Sequence, residues 1–228
     1  MRFVLWDIDG TLVDTAGHGA GAFADAFEVM FGRSPESRVP MAGRTDHEIA
    51  LAILERNGVA GGESHLPGMW RELEAALARK RDAIRAEGRA LPGAAQALEA
   101  LAGRAGVVQS LLTGNIEANA ATKLGAFGLT RWLDLEIGGY GSDGGVRSEL
   151  VAVALGRAEA KHGIHLPPRD AVLVGDTPLD VAAARTAGAR VVAVASGFSS
   201  EDELRAAGPD AVLSDLRDTD ALLAAVLG

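Results

Sequence analysis

Short apolar runs rich in β-branched residues recur along this 228-residue chain, at 3–6, 107–112, 133–137, 171–174 and 191–194. Each is bounded by turn residues, the pattern of strands buried on both faces. Helical periodicity fills most of the intervals, at 94–101, 116–124, 148–161 and 179–187. Strand alternating with helix predicts an α/β fold, a Rossmann-like parallel sheet core with helices on both sides. Ligands of such sheets bind beyond the carboxyl ends of the strands.

One stretch breaks the alternation. Residues 17–88 show helical periodicity alone, in segments at 22–31, 46–57 and 67–86, and Leu91-Pro92-Gly93 marks the return. The expected organisation is a Rossmann-like core made of 1–16 and 89–228, with an inserted α-helical cap at 17–88. Neither an internal repeat nor a low-complexity linker is apparent.

Composition narrows the function. A hydrophobic fraction of 48% with 23% charged residues is that of a soluble globular chain. The formal net charge of −9 argues against a nucleic-acid partner, which needs a basic face. It leaves an anionic substrate open, because a local donor cluster and a divalent cation bind phosphate on an acidic protein. Without cysteine, disulfides, thiolate metal sites and Cys nucleophiles are excluded. An acid at position 7 comes too early for a signal peptide, and no apolar stretch approaches the roughly 20 residues that span a bilayer. The expectation is a cytoplasmic protein with no membrane partner, a monomer or a homodimer.

Three predicted strands end in chemistry. The first runs into Asp7-Ile8-Asp9-Gly10-Thr11, the second into Thr113-Gly114-Asn115, and the run at 171–174 into Gly175-Asp176-Thr177-Pro178-Leu179-Asp180. An acid at the end of a buried strand is costly unless paired or used. Asp7 and Asp9 alternate, so a local distortion must bring them to one site, and Gly10 permits it. Thr113 and the bare backbone of Gly114 lead into a helix N-terminus, a ready anion cradle. Together they suit phosphoryl transfer. Asp7 and Asp176 would hold a hard divalent cation, Thr113 and the Gly114 amide would hold phosphate oxygens, and Asp9 would shuttle the proton.

These motifs, in this order, resemble the haloacid dehalogenase superfamily, in particular its phosphoglycolate-phosphatase-like and β-phosphoglucomutase-like branch with a helical cap. The resemblance spans essentially the whole chain. It implies a Mg²⁺-dependent phosphatase acting on a small phosphorylated metabolite, such as phosphoglycolate or a sugar phosphate. By this similarity Asp7 is nucleophile and metal ligand, and Asp9 is general acid/base and gives its carbonyl to the metal. Asp176 completes the metal site, Asp180 ligates directly or through water, and Thr113, Gly114 and Asn115 bind phosphate. The family places a lysine before the last motif, near a helix start. Here that place reads Gly144-Gly145-Val146-Arg147, so Arg147 is expected to stabilise charge and bind phosphate, while Lys161 falls several turns into the helix. Arg44, in Met41-Ala42-Gly43-Arg44-Thr45-Asp46, is the substrate-contacting candidate of the cap, with Thr45 or Asp46 capping the next helix.

Rivals are a phosphomutase of the β-phosphoglucomutase type and a non-catalytic module that binds phosphate ligands. Gly139-Tyr140-Gly141-Ser142-Asp143-Gly144 spells a dinucleotide fingerprint, but its helix opens late and no acid ends a strand about twenty residues on. His18, beside the catalytic loop at the cap entrance, is a candidate for substrate contact but is read chiefly as a solvent-exposed hinge residue. His162 and His165 flank a helix end where two ligands would not be held rigidly.

Overall fold

The computed structural model describes every residue except Arg38 and Ile164. Five strands, β1 (Arg2–Trp6), β4 (Val107–Leu111), β5 (Ala171–Gly175), β6 (Arg190–Val194) and β7 (Ala211–Leu213), form one sheet in the order β4-β1-β5-β6-β7. All pairings are parallel. The chain leaves β1 toward β4 on one side and β5 on the other, so β1 sits where the strand order reverses, the position that opens a ligand crevice.

Period-two alternation along the buried strands builds two separate cores. Val4, Trp6, Val172, Val174, Val192 and Val194 face helices α5 (Ala94–Ala102), α6 (Glu117–Ala126) and α10 (Thr219–Leu227). Phe3, Leu5, Ala171, Leu173, Val191 and Ala193 face α7 (Arg147–His162), α8 (Pro178–Ala187) and α9 (Glu201–Ala207). The buried indole N–H of Trp6 donates to Gln109, whose own amide donates to the Leu98 carbonyl, so this polar chain costs nothing unsatisfied.

Between core segments lie α1 (His18–Phe31), α2 (Asp46–Arg56), α3 (Gly62–Arg79) and α4 (Arg81–Glu87). They share a third apolar cluster, with Phe23, Phe27, Ile53, Met69, Leu73 and Leu77 at its centre. Short strands β2 (Val13–Asp14) and β3 (Arg89–Ala90) pair antiparallel where this segment leaves and rejoins the sheet. His18, part-buried rather than solvent-exposed, bonds Glu87 at 2.8 Å, tying the first residue of α1 to the last of α4. Among the described residues, no helix is long and apolar enough to cross a membrane.

Two expectations need correcting. Residues 133–137 are not a strand: Asp134 turns its carboxylate to the Glu136 amide and starts a short 3-10 turn, Leu135–Ile137. Only Gly139, beyond it, bridges to Leu112 at the sheet edge. The helix read from 67 begins at Gly62, carries Pro67 within it and breaks at Lys80. Pro67 is the sixth residue of this helix and leaves the Glu63 carbonyl, four residues earlier, without its usual intrahelical donor, yet the helix runs through it, so the proline does not mark the boundary.

Candidate active site

Register fixes the site before any side chain is considered. Trp6 is level with Leu111 on one side and Val174 on the other. The Asp7 amide donates to the Val174 carbonyl at 2.9 Å and the Leu112 amide to the Trp6 carbonyl at 2.9 Å, so Asp7, Thr113 and Asp176 emerge at one edge. Beyond Asp7 the chain coils. The amides of Thr11, Leu12 and Val13 all turn back to the Ile8 carbonyl, and Gly10 takes φ 84°. This is the distortion that brings Asp9 to the same side as Asp7.

A side chain at Gly10 would strike the Asp176 carboxylate, and so would one at Gly197. Asp176 is gripped in addition by the Thr11 hydroxyl at 3.1 Å and the Phe198 amide at 2.8 Å, while Ser196 donates to the Gly10 carbonyl. Asp180 is third in α8. It closes a capping box with Thr177, with Pro178 at the first helical position as expected.

Ligand atoms of Asp7, Asp176 and Asp180 lie within 4.8 Å of one another, all three residues being buried. One guanidinium faces the group: Arg147 Nη2 is 2.9 Å from Asp7 and also pairs with Asp180. Arg147 opens α7; burial works against its charge, but the Asp180 and Asp7 carboxylates outweigh that and hold the guanidinium firmly charged. Burial is also the largest influence on the acids. It pushes Asp7 up to about 6 against the pull of Arg147, and pushes Asp176 up to about 8 with help from Asp7 and Asp180. Three buried carboxylates against one cation are short of positive charge, and an oxygen-only donor set of this kind fits Mg²⁺.

Asp9 stands apart from this cluster. Its Oδ2 accepts from Lys123 Nζ at 2.6 Å and Asn115 Nδ2 at 2.9 Å. The Asn115 side-chain amide is thus spent on Asp9, Lys123 and Thr113, and with the Thr113, Asn115 and Ile116 backbone amides also bonded, the Gly114 amide is the one this loop leaves for an anion among the described residues. The Thr113 hydroxyl accepts twice from Asn115, so its own proton remains to be donated. Arg147 Nε is buried without a partner among the described residues, a second unused donor.

The helical segment closes over this edge. The Asp46 amide donates to the Gly114 carbonyl at 2.6 Å and its carboxylate accepts from the Ile116 amide at 2.8 Å. Burial pushes Asp46 up to about 7, against the attraction of Lys123. A Cβ on Gly114 would collide with the Arg44 backbone. Thr45, rather than Asp46, caps α2, through a capping box with Glu48. Arg44 lines the cavity, though its guanidinium rests on the Pro40 and Glu48 carbonyls at 3.3 and 3.4 Å. Between sheet edge and helices lies a cavity of about 550 Å³, lined by Asp7, Asp9, Lys123 and Arg147 together with the apolar Phe23 and Ile49.

Sequence reasoning missed Lys123, weighing only Lys161 against Arg147. Lys161 is instead tied to Asp134 and Glu136. The signal was present: Asn119 and Lys123 stand four residues apart on the buried face of α6, and Asn115 lies four residues earlier in the loop that leads into it. The glycine run at 139–144 is no dinucleotide loop, since Gly141 packs directly on the Gly114 carbonyl.

Residues 4–185 match the haloacid dehalogenase-like hydrolase family. The chain belongs to that family. Phosphoglycolate phosphatase 1 of Pseudomonas aeruginosa is 33% identical over 221 residues, covering 95% of this chain and 78% of that protein. A phosphoglycolate phosphatase of Pseudomonas fluorescens is 30% identical, covering 95% and 77%. Among solved structures, a hydrolase from Pseudomonas syringae superposes with TM-score 0.68 at 22% identity, covering 98% of this chain and 97% of the other. CbbY from Rhodobacter sphaeroides, in complex with phosphate, gives 0.68 at 19% identity over the whole of both chains. This haloacid dehalogenase-like hydrolase therefore falls on the phosphoglycolate-phosphatase-like branch, as an enzyme of the phosphatase type.

Proposed function

We propose that the chain hydrolyses a small phosphomonoester, phosphoglycolate or a sugar phosphate, through an aspartyl phosphate on Asp7. The observation that carries this is the convergence of Asp7, Thr113, Arg147 and Asp176 at one sheet edge, with Asp9 beside them on a separate support. Asp7, the Asp9 carbonyl and Asp176 would hold Mg²⁺, with Asp180 acting through water, since both of its oxygens already have protein partners. The ion would neutralise the phosphate dianion so that a carboxylate can approach it.

In the first half, an Asp7 oxygen attacks phosphorus, the ester P–O bond breaks, and Asp9 gives its proton to the departing alkoxide. In the second, Asp9 takes a proton from water, the hydroxide attacks phosphorus, and Asp7 leaves as a free carboxylate. The Thr113 hydroxyl and Arg147 Nε are the unused donors suited to the equatorial oxygens. Residues 17–88 serve as a cap that excludes water, with Arg44 reaching the substrate in the loaded enzyme.

A panel of small phosphomonoesters with Mg²⁺ tests this. Phosphate release from at least one short acid or sugar phosphate is the expected result. Isomerisation of a sugar phosphate without release would favour a mutase, and no turnover on any member would contradict the reading.

The metal assignment has its own pH signature. Asp7 and Asp176 have folded values above the ordinary 3.8. The fold therefore binds more protons than the unfolded chain, and their contribution to stability is lost as pH rises through about 6 to about 8. A cation displaces those protons, so its affinity rises over the same window. In melting scans, chelated protein should weaken from pH 6 to pH 8 while the increment from Mg²⁺ grows. An increment independent of pH would contradict the assignment.

A further inference from the structure

Lys123 is a buried lysine outside the set that neutralises the carboxylate cluster. Burying an ammonium is expensive unless its donors are satisfied, so its partners show what it is for. Nζ reaches Asp9 Oδ2 and Asn115 Oδ1, each at 2.6 Å, and Asn115 Nδ2 reaches the same Asp9 Oδ2 at 2.9 Å. The three side chains close a ring. It is anchored to the phosphate loop by the bond from Asn115 Nδ2 to Thr113 and roofed by α1, where a Cβ on Gly19 would stand 3.3 Å from Nζ.

The ring is one-sided. Both donors converge on Oδ2, while Oδ1 has no partner among the described residues and Asp9 lines the cavity. A carboxylate held by one oxygen cannot rotate about its Cβ–Cγ bond, so the other oxygen keeps a fixed aim. We propose that Lys123 is a positioning residue that pins Asp9 so that Oδ1 is the atom exchanging protons with the leaving group and with water. A lysine that merely tied α6 to the catalytic loop would have no need to share its acceptor with Asn115 and leave the other oxygen bare.

This rests on Asp9 being the acid/base, and the test separates the two claims. An aryl leaving group departs as a stable phenolate and needs little protonation, whereas an alkoxide needs it fully. Wild type, Asp9→Asn, Lys123→Met and Lys123→Arg are compared on 4-nitrophenyl phosphate and on two alkyl esters, phosphoglycolate and glycerol 3-phosphate, with Mg²⁺. For Lys123→Met we expect kcat on the alkyl esters to fall by about 100-fold, within the range that acid–base catalysis supplies. The loss on the aryl ester should be several-fold at most, and Lys123→Arg should recover much of the alkyl activity. If Lys123→Met does not fold, Lys123→Ala with added ethylammonium replaces it, the amine restoring alkyl turnover selectively.

Equal losses on both ester classes in the Lys123 variants, with Asp9→Asn showing the split, would overturn the positioning role alone. No split in Asp9→Asn would overturn the acid/base reading and the positioning role with it. So would wild-type protein that hydrolyses neither class.

Discussion

Asp7→Asn is expected to lower kcat by at least about 10⁴-fold, the scale seen when a covalent nucleophile is removed. The carboxamide keeps the size of the side chain and an oxygen for Arg147 but has no charge with which to attack phosphorus. The fold should survive intact. Asp7 sits among Asp176 and Asp180 and is pushed up to about 6, so removing its charge relieves repulsion at neutral pH. Circular dichroism and a melting point equal to or above that of wild type, beside the lost phosphate release, are the expected pair. Retained turnover would refute Asp7 as nucleophile.

Arg147→Met is expected to cost about 3–5 kcal/mol of stability, the usual penalty for leaving a buried charge without its partner. Nη2 of this residue serves Asp7 and Asp180 together, and Nη1 faces the Gly43 carbonyl of the helical segment at 3.4 Å. Methionine fills much of the space and supplies none of the charge. Mg²⁺ should return part of the loss by compensating the same carboxylates, while kcat falls about 10²–10³-fold through the missing phosphate donor. Arg147→Lys should recover some stability and less activity, because an ammonium cannot replace both Nη2 and the spare Nε. Chemical denaturation with and without Mg²⁺ checks it. A change below about 0.5 kcal/mol, the scale of an inert surface site, would contradict the role.

What was legible in the sequence follows from how locally each feature is determined. The buried strands announced themselves because a fully covered strand has to be apolar along its length, as 3–6 and 171–174 are. Asp7, Thr113 and Asp176 could be placed because each follows such a strand directly. Residues 133–137 misled for the complementary reason. Ile137 is buried and Leu133 and Leu135 are partly so, but the Asp134 side chain captures a backbone amide and turns the chain out of the sheet. Lys123 and Asp46 were hidden because their partners are remote, 114 residues separating Lys123 from Asp9 and 70 separating Asp46 from Ile116. A lysine on a helix face normally reads as solvated surface, and only the tertiary contact reveals that this one is buried. The loop of Ser196, Gly197 and Phe198 gave no signal, since it acts mainly through its backbone and its lack of side-chain bulk at Gly197.

Whether phosphate resides covalently on Asp7 during turnover tests the account most directly. Enzyme turning over a hydrolysed phosphomonoester with Mg²⁺ is quenched in acid, reduced with borohydride and mapped by peptide mass spectrometry. An acyl phosphate on Asp7 leaves the reduced residue at that position and nowhere else. Robust turnover with Asp7 unmodified at every quench time, or the modification at another acid, would contradict the mechanism built on this sheet edge.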